Sequence, residues 1–131
     1  MKMLVVEDDF TSRILMHKLL SPYGEVHIAI NGVEAVEVVQ KSIDEKDPYD
    51  LICLDVMMPQ MDGHTALEEI RKLEVDSGIA VGKGSRVIMT TALSDSQNVI
   101  GAFKENCDAY MVKPVERAKL LRQLRKLELI E

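Results

Sequence analysis

Two cysteines, Cys53 and Cys107, are all the thiol this chain contains, too few for a disulfide framework or a four-ligand zinc site. Both are therefore expected to be reduced, with Cys53 buried in an apolar run. Positive charge is also scarce. Sixteen Lys and Arg face twenty-two Asp and Glu, a net charge of -6, whereas gripping nucleic acid by its phosphates needs concentrated basic groups. Direct nucleic-acid binding is not expected. No apolar run approaches the roughly 18 residues of a membrane span, and no charged start precedes a signal-type apolar stretch. The expectation is a cytoplasmic protein without membrane insertion. Linkers, repeats and low-complexity segments are missing as well, so residues 1–131 read as a single domain with no output domain. The histidines His17, His27 and His64 are scattered and give no metal-ligand spacing.

What is present is a set of apolar runs that each end on a reactive polar group. Residues 3–6 lead to Glu7 and Asp8, residues 51–54 to Asp55, residues 87–89 to Thr90 and Thr91, and residues 110–112 to Lys113. Continuous apolar runs of this length are the mark of parallel strands buried on both faces. Ligands of open parallel sheets bind outside the strands' carboxyl ends, so one crevice would collect carboxylates, a hydroxyl and an ammonium.

The intervening segments are helical. Leu15, Met16, Leu19 and Leu20 share a helix face that ends at Ser21-Pro22-Tyr23-Gly24, and Gly32, Ala35, Val36 and Val39 share another. Between them Val26, Ile28 and Ile30 alternate with polar or small residues, as in a strand at a sheet edge. A helix with Leu67, Ile70 and Leu73 is followed by a glycine-bearing loop over 75–85. A short helix over 94–103, a strand over 109–112 and a last helix over 115–129 complete five strand–helix repeats. Right-handed crossovers then give an α/β, doubly wound five-stranded parallel sheet with helices on both faces.

The stretches Leu4-Val5-Val6-Glu7-Asp8, Asp55-Val56-Met57-Met58-Pro59-Gln60-Met61-Asp62-Gly63, Thr91-Ala92 and Lys113-Pro114, in this order, resemble the receiver domains of response regulators in two-component signalling. The resemblance covers the whole chain and implies the flavodoxin- or CheY-like strand order 2-1-3-4-5. It implies that Asp55 is the phosphoacceptor of a phosphorelay, that Glu7 and Asp8 help to hold Mg2+ or Mn2+, and that Thr91 is the switch hydroxyl. Lys113 would pair with the phosphoryl group, and Tyr110 would be the switch aromatic. Thr90 is the lesser candidate for the hydroxyl role. The partners implied are a histidine kinase or a histidine phosphotransfer protein, with a downstream protein target on the face built from residues 94–129. Lys119, Arg122 and Lys126 form a basic stripe on that face.

The residue types suit such chemistry. Two carboxylates about 5 Å apart repel by roughly 3 kcal/mol at an effective dielectric of about 20, so three neighbours oppose one another's ionisation unless a cation joins them. Magnesium takes one or two carboxylates, waters and phosphate oxygens; Asp8, Asp55, the Met57 backbone carbonyl and a phosphoryl oxygen would fit that shell. Pro59 and Gly63 are expected to shape the loop after Asp55, Gly63 by adopting positive φ. Met57 and Leu93 fall where the family tunes hydrolysis, and two apolar side chains there imply slow self-dephosphorylation. Gly82-Lys83-Gly84-Ser85 lacks the spacing of a phosphate-binding P-loop.

Two other readings compete. A phosphorylation-independent receiver-like binding module would need none of these reactive groups. A magnesium-dependent phosphatase working through an aspartyl phosphate needs a second aspartate two residues after its nucleophile; Met57 stands there.

Overall fold

A computed structural model describes residues 1–58, 60–92 and 107–131. Its elements are β1 (Lys2–Val6), α1 (Phe10–Leu20), β2 (Glu25–Ala29), α2 (Gly32–Asp44), β3 (Leu51–Asp55), α3 (Gly63–Asp76), β4 (Arg86–Ala92), β5 (Ala109–Lys113) and α4 (Arg117–Lys126), with a 3-10 turn over Ser21–Tyr23. All strand pairings are parallel and the order is β2-β1-β3-β4-β5, as the resemblance implies. The expected helix over 94–103, Leu93 and Pro59 lie outside the described residues.

The alternation of each strand divides the core between two faces. Leu4, Val6, Ile52, Leu54, Val87 and Met89 pack with Ala35, Val39, Ala66, Leu67 and Ile70 from α2 and α3. Met3, Val5, Leu51, Cys53, Ile88 and Met111 pack on the other side with Met16, Leu20, Leu120 and Leu124 from α1 and α4. Because both faces are covered, β1 and β3 are buried throughout most of their length. Each fully buried Leu, Ile or Met contributes about 1.5–3 kcal/mol of transfer free energy against the ordering entropy of the chain.

Side-chain caps start three helices at the carboxyl rim of the sheet. The carboxylate or amide oxygens of Asp9, Asn31 and Asp62 accept from Ser12, Glu34 and Thr65 backbone N–H groups at 2.9, 2.8 and 2.8 Å. The loops β1–α1, β2–α2 and β3–α3 are thereby tied down where the reactive residues emerge.

Several expectations need correction. The apolar alternation of the edge strand stops at Ala29, which is fully buried, and Ile30 is exposed because the chain has already turned toward the Asn31 cap. Helix α3 continues to Asp76, so Val75 and Asp76 are helical and the loop is shorter than 75–85. Gly63 is not at positive φ; that conformation falls on Gln60, with φ of 68°. What Gly63 supplies is closeness, since a Cβ there would run into the Asp55 carbonyl and the Val56 backbone. The glycine-bearing loop is likewise structural: the buried Glu74 carboxylate accepts from Ser85 N–H at 2.7 Å and from Arg71 at 2.8 Å, and packs where a Gly84 Cβ would stand.

Candidate functional site

Parallel register brings the reactive residues to one rim. Val6 is level with Leu54, Asp55 with Thr90, and Ala92 with Lys113, so the residues that follow β1 and those that close β3, β4 and β5 share one end of the sheet. Three carboxylates meet there. Oxygens of Glu7, Asp8 and Asp55 lie within 4.8 Å of one another, the one such group of potential metal ligands among the described residues. Glu7 and Asp55 are buried, whereas Asp8 faces solvent. This donor set, all oxygen and all anionic, fits a hard divalent cation.

The Lys113 side chain reaches into the cluster from β5. Its Nζ lies 3.2 Å from Asp55 Oδ1 and contacts Glu7 Oε1 directly. Burial alone disfavours its charge, but the Glu7 hydrogen bond and the charges of Asp55 and Glu7 outweigh this and raise its pKa. Asp55 is pushed up to about 7, first by burial and then by Glu7, against the pull of Lys113. The Met57 N–H also donates to Asp55 Oδ1 at 3.3 Å.

Alternation and register treat the two threonines differently. Thr90 is level with Asp55, and its parity with Ile88 puts it on the α1 and α4 side of the sheet, the side to which Asp55 belongs with Leu51 and Cys53. Thr91, level with Val112, sits one residue nearer the rim; it is buried and its hydroxyl donates to the Ala92 carbonyl at 3.4 Å. Alternation therefore pairs Asp55 with Thr90, and the distinction of Thr91 is its closeness to the strand's end. Tyr110 is partly buried against the α2 and α3 side. Met57 is 59% exposed beside the cluster.

Two residues at the site were not singled out from sequence. Asp9 continues the acidic run, yet its carboxylate caps α1 and its N–H donates to Glu7 Oε2 at 3.2 Å; the Ser12 bonds lower its pKa. The spacing Asp9-Phe10-Thr11-Ser12 carried that signal as an N-cap. Arg13 donates from Nη1 to the Glu7 and Asp8 carbonyls at 3.1 and 3.0 Å, a contact with no sequence signature. Elsewhere, His27 bonds Tyr49 and Glu25, and His64 pairs with Glu68, far from any shared ligand set. Cys53 is buried, which lifts its thiol to about 12, and Cys107 is half-buried and also raised by burial. A cavity of about 480 Å³ lies at the opposite end of the sheet, between Arg71, Val75, Ile79 and Arg86, away from the acidic cluster.

Comparison with known proteins agrees with this geometry. A family model described as response regulator receiver domain matches residues 3–125. The chemotaxis protein CheY of Listeria monocytogenes is 33% identical over 128 residues, covering 96% of this chain and 97% of that protein. Hybrid signal transduction histidine kinase G of Dictyostelium discoideum is 34% identical over 119 residues, but the chain spans only 3% of that protein, and 12% of a probable histidine kinase 2 of rice. Among solved structures, the receiver domain of the histidine kinase CKI1 from Arabidopsis thaliana complexed with Mg2+ and BeF3- is 29% identical. It superposes with a TM-score of 0.78 over 98% of this chain and 90% of that one. A receiver domain protein from Clostridium thermocellum is 28% identical with a TM-score of 0.75, each chain covered to 98%. No helix among the described residues is long and apolar enough to cross a membrane.

Proposed function

This chain belongs to the response regulator receiver family, and from that premise we propose that Asp55 accepts a phosphoryl group from a phosphohistidine donor and that the modified domain changes its affinity for a protein target. The observation that carries the assignment to Asp55 is its position, buried among Glu7, Asp8 and Lys113 at the end of the central strand.

The residues divide the work. An Asp55 carboxylate oxygen attacks phosphorus, a P–O bond forms, and the donor's P–N bond breaks with its electron pair leaving on the imidazole nitrogen. Lys113 holds Asp55 in place and offsets negative charge on the phosphoryl oxygens. Glu7, Asp8 and Asp55, with the Met57 carbonyl, would hold Mg2+ or Mn2+. When bound, that cation neutralises the carboxylates and the incoming phosphoryl oxygens together. The Thr91 hydroxyl donates to the phosphoryl group, and Tyr110 follows it, biasing a pre-existing equilibrium of the surface formed from residues 94–129. The donor is a histidine kinase or histidine phosphotransfer protein of the cytoplasm, and the protein promotes only its own phosphorylation and slow dephosphorylation.

Incubation with acetyl phosphate, with and without Mg2+, followed by intact-mass measurement tests this reading. One added phosphoryl group that requires the metal and disappears in Asp55→Asn is the expected result. An unmodified wild type would leave the phosphorylation-independent binding module standing instead.

A further inference from the structure

We propose that Arg13 is a positioning residue for the acidic pocket, fixing through the backbone the direction in which Glu7 and Asp8 present their carboxylates; the inference rests on the receiver reading of that pocket. One guanidinium nitrogen, Nη1, donates to both carbonyls, of Glu7 at 3.1 Å and of Asp8 at 3.0 Å. Two neighbouring peptide units pointing at a single donor cannot rotate independently. The flanking anchors are different in kind: the Glu7 N–H is still tied to the Ala29 carbonyl at 3.1 Å, and Asp9 is held as the α1 cap. Between those anchors Asp8 is exposed and belongs to neither β1 nor α1, and its carbonyl is held by Arg13.

The helix aims the guanidinium. Arg13 is in the first turn of α1, with Cζ 5.6 Å over the Phe10 ring, so its planar fork lies back across the loop that precedes the helix. Charge-assisted bonds of this kind are roughly twice as strong as neutral ones, and a group that orients a metal ligand tunes affinity without touching the ion. Its hydrogen bonds go to the Glu7 and Asp8 backbone carbonyls, not to the reacting Asp55 carboxylate, so its effect should fall on metal binding rather than on the chemical step.

The test uses the full chain, with Mg2+ titrated by calorimetry and acetyl phosphate as donor. Arg13→Met, which keeps the apolar stem and removes the fork, should weaken Mg2+ binding about tenfold. Its phosphorylation rate at saturating Mg2+ should stay within about twofold of wild type. Arg13→Lys, a single-point donor, should recover part of the affinity. Leu19→Ala, a packing change on the same helix, serves as the control for general loosening of α1. The proposal is overturned by unchanged Mg2+ affinity in folded Arg13→Met, or by an equal loss in Leu19→Ala. Should Arg13→Met not fold, Arg13→Gln takes its place under the same criteria. A wild type that neither binds Mg2+ nor becomes phosphorylated would remove the receiver reading itself, a result distinct from either.

Discussion

Lys113 Nζ stands 3.2 Å from Asp55 Oδ1 and touches Glu7 with the same ammonium, so a single cation from the edge strand holds two buried carboxylates that would otherwise repel. Removing it should hurt chemistry more than folding. Lys113→Met leaves Glu7 and Asp55 facing one another, and Asp55 can answer by keeping its proton, which limits the loss of stability. On the proposed reading the carboxylate nucleophile and the donor to the phosphoryl oxygens are lost together. We expect phosphorylation by acetyl phosphate to slow by about a hundredfold, the scale of one deleted transition-state donor. Equal rates in the variant and wild type would show that Lys113 serves packing alone.

The raised pKa of Asp55 makes metal-free stability depend on pH. The carboxyl titrates near 3.8 when unfolded and near 7 when folded, so between those values the folded protein binds more protons than the unfolded chain. Its contribution is complete below the unfolded value and is lost as pH rises through about 7. Urea midpoints in chelator should therefore fall from pH 5 to pH 8, and Asp55→Asn should flatten that slope. Lys113, also raised, contributes at more alkaline pH and leaves this window alone. Added Mg2+ should act with the opposite sign, stabilising more as pH rises, because it needs the ionised carboxylates. Parallel slopes for wild type and Asp55→Asn would contradict the assignment.

Most of the fold was legible because parallel strands buried on both faces leave unbroken apolar runs, such as 51–54 within Leu51–Asp55 and 87–89 within Arg86–Ala92. Less legible was anything fixed by a tertiary contact. Ile30 looked like a third member of an alternating face, but the Asn31 cap ends that strand first. Gly63 looked like a turn glycine, whereas its need is proximity to the Asp55 carbonyl. Arg13 left no local trace, since its partners are backbone carbonyls whose direction only the folded loop sets.

The two threonines offer a sharper comparison than sequence alone allowed. Thr90 is level with Asp55 and 5% exposed, so Thr90→Ala should mainly cost packing, about 1 kcal/mol, with phosphorylation retained. Thr91→Ala should also accept the phosphoryl group. What it should lose is the change in Tyr110 ring resonances that phosphorylation produces in the wild type, because the donor linking group and strand is gone. Swapped outcomes, with Thr90→Ala silencing Tyr110, would move the switch role to Thr90.

Glu74 should prove necessary to the loop after α3 and irrelevant to phosphorylation. It is a buried carboxylate that accepts from Arg71 and the Ser85 N–H; Arg71 keeps the Ser85 carbonyl and Asp108, but Glu74→Ala strands the Ser85 N–H and should cost about 1–3 kcal/mol in urea unfolding. Acetyl phosphate should still modify the folded fraction at the wild-type rate. A loss of phosphorylation in folded Glu74→Ala would tie this loop to the active rim, at the other end of the sheet.

The lifetime of the phosphoryl group should be set by what meets the attacking water. Met57 is 59% exposed, two residues after Asp55, and its thioether is at best a weak acceptor, so it is not expected to orient a water for in-line attack. Phosphorylated protein freed of donor should therefore decay over many minutes, not seconds. Met57→Asn gives the water a carboxamide partner at the same place and should speed hydrolysis about tenfold, roughly 1.4 kcal/mol of barrier. Mass spectra taken through the decay measure both rates. A wild-type half-life of seconds, or a Met57→Asn rate equal to wild type, would mean that water reaches phosphorus by a path that Met57 does not border.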